Sequence, residues 1–292
     1  MIVLEVAFLA LFWAWVFSAA LFLRNTVLPR LPMTASPGAW NLPATPVRFQ
    51  AADGVWLSGW TIAADPREPW LILCHGLGTN RADLLDIAAG LFKARYNLLV
   101  FDFRAHGESE GRSTSFGWHE QRDLEGALAF LGAQPEIPDQ PYGVFGVSMG
   151  GAVAVMVAAE DERIGAVAVD SIYSDLERSI NHHIHLLYRL PRMPFGWFVA
   201  SAYRLRFGVW PRQMSPLQAI GHLSPRPVFL IHGGTDPRMP ITEAQALLEA
   251  AKTPKDLWII QGTEHLATYA SAPDTYLGRL VQFFDSSLRT RR

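Results

Sequence analysis

Cysteine is almost absent from this chain: Cys74 stands alone, so there is no internal disulfide and no cysteine-based metal cage. Lysine is nearly as scarce, with only Lys93, Lys252 and Lys255 among the 25 basic residues, the rest being arginine. That is not the Lys/Glu enrichment of hyperthermophile proteins. Charged residues make up 18% of the chain and aromatics 12%, a balance that excludes a disordered or highly charged tail protein. With 25 basic against 27 acidic side chains there is no global field to attract nucleic acid. Internal repeats and low-complexity tracts are missing too. Apolar residues are what abound, at half of 292 positions, enough for one large α/β domain or two small ones.

The apolar residues concentrate first at the N-terminus. Glu5 is the only charged side chain in residues 1–23, and residues 6–23 are uncharged. A helix over the latter is ~27 Å long and, with the residues before it, reaches the ~30 Å of a hydrocarbon core. A cleaved signal needs a basic n-region, which Glu5 replaces here, and Ser18-Ala19-Ala20 is followed by more apolar chain. Residues 1–27 are therefore expected to be a single-pass membrane anchor. Trp13 and Trp15 fit a helix packed on protein better, because anchor tryptophans prefer the interfaces. Arg24 and Arg30 follow the span, which by the positive-inside rule puts the rest of the chain in the cytoplasm.

Five prolines (29, 32, 37, 43 and 46) make residues 28–45 read as an extended linker. Residues 46–50 and 55–62, joined across Asp53-Gly54, read as a hairpin. Short continuous apolar runs follow at 70–74, 98–101, 142–145, 164–169, 228–231 and 257–260, as strands buried on both faces should. Helical patterns such as 119–131 and 149–160 lie between them, which gives a parallel sheet covered on both faces. Residues 171–226 break the rhythm. A structureless loop of that length is improbable, so a helical lid is expected there, inserted into a core of residues 46–170 and 227–288. The lid carries seven arginines against Asp175 and Glu177. With its aromatic residues, it suggests a basic face lying on an anionic leaflet.

Gly146-Val147-Ser148-Met149-Gly150 sits directly after one apolar run and before a small-residue helix. The strand–GxSxG–helix context is what a nucleophile elbow requires, since the serine needs a tight turn with no side chains to collide. A neutral serine needs a base and a group to orient that base. His265 lies just past the run 257–260 and Asp236 just past 228–231. Loops at the carboxyl ends of parallel strands converge, so the three can meet. Two backbone N–H groups are needed for a developing oxyanion. Met149 supplies one, and Leu77, in His75-Gly76-Leu77-Gly78 after the run 70–74, the other.

These pieces, together with Phe101-Asp102-Phe103-Arg104-Ala105-His106-Gly107-Glu108-Ser109, resemble the α/β-hydrolase superfamily, and within it the monoacylglycerol-lipase-like serine hydrolases. The resemblance runs from about residue 46 to residue 288. It implies a mostly parallel eight-stranded sheet, helices on both faces, a lid after the sixth strand, and carboxyl-ester hydrolysis through an acyl-enzyme without a cofactor. A lipid or other small ester would be the substrate. The same triad serves an acyl-protein or acyl-CoA thioesterase. A membrane-anchored ligand-binding scaffold would be expected to show a broken triad.

Other residues compete for these roles. Asp170, after the run 164–169, is the rival to Asp236 as the triad acid. Asp102 and His106 are expected to hold their loop beside the oxyanion loop, and His75 and His232 to anchor loops. His182, His183 and His185 place at most two rings on one helix face with no carboxylate close behind, so no metal site is expected.

Overall fold

The computed structural model describes residues 2–289, with side chains from Glu5 onward. Eight strands form one sheet: β1 (Ala44–Gln50), β2 (Trp56–Ile62), β3 (Trp70–Cys74), β4 (Asn97–Phe101), β5 (Tyr142–Val147), β6 (Ile164–Asp170), β7 (Val228–Gly233) and β8 (Lys255–Ile260). Their order is β1-β2-β4-β3-β5-β6-β7-β8. β1 pairs antiparallel with β2 and β2 with β4, and every other pair is parallel. The continuous apolar runs become the parallel strands, and β3 to β7 are buried along almost their whole length. The run 257–260, expected to be buried on both faces, instead forms the sheet edge β8 and is only half-buried, because no strand pairs with its outer side.

Alternation along the strands splits the core into two layers. Ile72 and Cys74 face one, with α3 (Glu120–Gly132), α4 (Met149–Glu160) and α8 (Ile241–Ala250). Leu71 and Leu73 face the other, with α2 (Leu85–Lys93) and α10 (Pro273–Phe284). Between β6 and β7 the chain forms a helical insertion, α5 (Leu176–Tyr188), α6 (Arg192–Phe207) and the short α7 (Pro216–Ala219). A single turn, α9 (Thr268–Ser271), precedes α10.

The N-terminal helix α1 (Ile2–Thr26) differs along its length. Val6, Phe8, Leu9, Leu11, Phe12 and Trp13 are exposed, whereas Ser18, Phe22 and Thr26 are buried. The second half packs on α6, with Trp15 Nε1 donating to Ser201 Oγ at 2.8 Å. The segment that follows is held to the core. Arg30 donates to the carbonyl oxygens of His106, Gly107, Ser109 and Gly111, and Asn80 Nδ2 donates to those of Leu31 and Pro32.

Strand order places the functional residues. The chain leaves β3 for β4 on one side and returns to β5 on the other, a switch point where a crevice opens at the carboxyl ends. Register lines up those ends, with Cys74 opposite Gly146, Val147 opposite Asp170, and Asp170 opposite Ile231. The loops after β3, β5, β6, β7 and β8 therefore share one edge.

Candidate active site

Ser148 joins β5 to α4 with φ 51° and ψ −120°. Such a backbone costs a non-glycine residue on the order of 1–3 kcal/mol and persists only where its surroundings enforce it. Here the surroundings are tight. A Cβ on Gly146 would stand 2.6 Å from the Gly150 backbone, and one on Gly150 would stand 2.4 Å from the carbonyl oxygens of Cys74 and His75. Glycine at both positions lets α4 press on the end of β3 and leaves the serine side chain at the crevice.

His265 follows β8, and its Nδ1–H donates to Asp236 Oδ2 at 2.6 Å. The Asp236 side chain is wholly buried, and its other oxygen accepts the N–H groups of Arg238 and Met239 at 2.8 and 2.9 Å. The two loops are also tied directly, because Thr235 N–H donates to the Thr263 carbonyl at 3.0 Å. With Nδ1 engaged, Nε2 is the ring nitrogen left to exchange a proton. Ser148 and His265 line the same cavity.

The loop after β3 comes equally close. A Cβ on Gly76 would lie 3.5 Å from that of Ser148, and Leu77 and Met149 both line the cavity. Two buried histidines hold this loop. His106 Nε2 accepts Gly78 N–H at 3.0 Å while its Nδ1–H donates to the Arg104 carbonyl at 2.8 Å. His75 Nε2 accepts Phe103 N–H at 3.0 Å, with Nδ1 2.7 Å from the Gly76 carbonyl. Both rings work as neutral acceptors, and burial opposes their protonation. His75 is pushed down from the ordinary 6.5 to about 3, by burial first and by the neighbouring His106 second.

Below pH 6.5 the unfolded chain takes up a proton that folded His75 refuses until about pH 3, so its contribution to stability is lost across that window. The melting temperature should fall as pH drops from 6.5, and fall less steeply in His75→Gln, which has no ring to titrate. Parallel slopes for the two proteins would contradict this.

Asp102 pairs with an arginine. Its carboxylate accepts the Arg81 and Glu108 N–H groups at 2.8 and 2.9 Å and pairs with the Arg81 guanidinium. Asp170 is likewise bonded to other groups, three hydroxyls. It accepts from Ser171 Oγ at 2.8 Å, from Tyr276 Oη at 2.7 Å, and from Thr268 Oγ1. It thereby pins the segment just after the histidine. His232 Nε2 meets the Met239 carbonyl at 2.8 Å, holding the turn after Asp236.

Of the three histidines on α5, His182 meets the Pro237 carbonyl and His183 the Ser179 carbonyl, each at 2.8 Å. His183 also lines the cavity, where burial pushes its pKa down. Among the described residues, no group of His, Cys, Asp and Glu is placed to hold a metal ion.

The cavity measures about 350 Å³ and is lined chiefly by apolar side chains. Sequence reasoning missed one of its walls, the second half of α1. It also missed Arg81, buried at the hub of the Asp102 and Glu108 contacts. Arg81 had no sequence signal, since an arginine in a loop reads as surface.

The chain matches the model of the Alpha/beta hydrolase family over residues 71–279. The Bacillus subtilis protein YqkD is 28% identical over 238 residues, covering 81% of this chain and 77% of its own. The polyketide transferase grgF of a Penicillium species is 24% identical over 291 residues, covering 86% of this chain and 98% of its own. Among solved structures, an esterase of Pyrococcus furiosus superposes with a TM-score of 0.74 at 27% identity, covering 89% of this chain and 99% of that one.

Proposed function

Since this chain belongs to the α/β-hydrolase family, we propose that it is a membrane-tethered serine hydrolase of carboxylic esters, acting on acyl esters of lipid origin. The observation that carries this reading is the Asp236-bound His265 sharing one apolar cavity with Ser148 on its strained turn. The esterase activity of the Pyrococcus furiosus neighbour agrees with it.

Ser148 attacks the acyl carbon while His265 Nε2 takes the serine proton. Asp236 holds the ring in the tautomer that can accept at Nε2 and stabilises its charged form. The oxyanion meets the N–H groups of Leu77 and Met149. The alcohol leaves with the proton from His265, giving an acyl-serine. Water, deprotonated by the same histidine, then releases the acid.

Helix α1 is the tether. Its first half offers an apolar surface on which Phe8, Leu9 and Leu11 are each more than half exposed, and residues 5–26 are long and apolar enough to cross a bilayer. Cleavage after Ala20 would remove the partner of Ser201 and leave Phe22 and Thr26 on a frayed end, so the packing favours a retained helix. Arg24 and Arg30 put the hydrolase on the cytoplasmic side. Residues 171–226 act as a lid whose exposed Met193, Trp197 and Leu205 lie on α6, the helix that packs on the tether.

Hydrolysis of p-nitrophenyl esters from two to sixteen carbons, with Ser148→Ala protein as background, tests the reading. A maximum at eight carbons or longer is expected. A maximum at two to four carbons would contradict the lipid assignment, and no rate above background would contradict the esterase.

A further inference from the structure

Six residues of and just after α1 line the catalytic cavity: Phe17, Ser18, Leu21, Phe22, Asn25 and Leu28. Phe17, Leu21 and Asn25 recur one turn apart, a stripe down one side of the helix. The geometry points to a second role for this helix: its second half is a wall of the acyl-chain site and sets chain-length preference, while its first half holds the bilayer. The inference rests on the esterase reading and adds to it the surface that the acyl chain touches.

The wall is fixed. Phe22 is buried against Phe116, Tyr203 and Phe207, with ring centroids 6.0, 5.8 and 6.3 Å away. The Thr26 carbonyl accepts Thr114 N–H at 2.8 Å. Arg30, four residues on, is bonded to the loop that carries His106, the histidine that steadies the oxyanion loop. Apart from Asn25 at its exposed end, the wall is apolar in effect, because the Ser18 hydroxyl is spent on the Ala14 carbonyl at 2.8 Å.

The rim says where the cavity opens. Phe17, Leu77, Leu187, Tyr188 and Leu266 line the cavity and yet are 37–63% exposed. A ring of large apolar side chains is unfavourable against water and suited to acyl chains. Phe17 belongs both to this rim and to the exposed stretch of α1, so the tether runs directly into the mouth. A cavity of about 350 Å³ lies at the low end of small-molecule sites and suits one acyl chain. A single-chain ester can therefore slide along α1 from the leaflet to Ser148 without crossing water.

The full-length protein in detergent micelles, carrying Leu21→Trp, tests this. Filling the wall should lower kcat/KM for an ester of twelve or more carbons by about tenfold or more, with the four-carbon ester changed less than about twofold. Leu9→Trp, on the free half, should change neither. Phe17→Ala alters an exposed side chain and leaves the packing of the helix intact. It should raise KM for the long ester alone, and it decides the matter if Leu21→Trp lowers the melting temperature. Equal changes for long and short esters, or none in either variant, would overturn the inference. Failure of the esterase reading looks different, because Ser148→Ala protein would then hydrolyse the four-carbon ester as well as wild type does.

Discussion

Ser148→Ala protein should fold normally and lose ester hydrolysis by a factor of ~10⁶ in kcat. In the proposed mechanism the missing oxygen forms the acyl bond, and it stands on the strained turn in the cavity that His265 also lines. The fold should not suffer. Alanine meets the same φ of 51° that serine does, and the backbone bond from Ser148 N–H to the Asp170 carbonyl, 2.8 Å long, does not involve the side chain. A residual rate above water of roughly 10³- to 10⁴-fold should remain, because the proposed oxyanion donors and the cavity are untouched. Steady-state rates beside a melting curve check both halves of this expectation. Activity within tenfold of wild type, at equal melting temperature, would remove Ser148 from the chemistry.

Asp236→Asn is the second large effect, roughly 10⁴ below wild type in kcat. The carboxylate is an acceptor only, so it fixes the proton on Nδ1 and leaves Nε2 free to receive one. An amide can donate instead, and the ring then turns over its tautomer and presents N–H where a base is needed. Asp170→Asn supplies the contrast. Asp170 accepts from Ser171, Thr268 and Tyr276, three hydroxyls and no imidazole. An amide there turns one acceptor into a donor, so the hydroxyl facing it must rotate to accept and give up its own bond to the carboxylate, with a cost of about 1–3 kcal/mol in stability. Its effect on kcat should be smaller and should follow the loosening of the segment behind His265. The two variants are separated by comparing kcat with melting temperature. A larger loss of kcat in Asp170→Asn than in Asp236→Asn, at matched stability, would reverse the assignment of the acid.

Much of this is legible in the sequence. Interior strands buried on both faces leave continuous apolar runs, and the runs at 70–74, 142–145 and 164–169 lie within β3, β5 and β6. The hairpin at Asp53-Gly54 and the helix behind Ser148 were equally plain, because turn glycines and small residues are local signals. The pairing of Asp236 with His265 was inferable because both follow strands of one parallel sheet, so topology alone brings them to one edge. What sequence could not display was α1 docked on α6. A helix apolar on every side shows no contrast between a lipid face and a protein face, so Ser18, Phe22 and Thr26 gave no sign of being the buried stripe. His183 was hidden for a related reason. Its place in the cavity depends on how α5 lies over the sheet, which is set by long-range packing.

The central claim is that Ser148 carries the acyl group, and it is tested most directly by trapping that group. Protein mixed with a p-nitrophenyl ester, quenched in acid within the first turnover and digested, should yield one peptide heavier by a single acyl unit, the peptide containing Ser148. The Ser148→Ala protein should yield none. Acyl mass on another residue, or release of p-nitrophenol with Ser148 unmodified throughout, would contradict the covalent route and the site built around it.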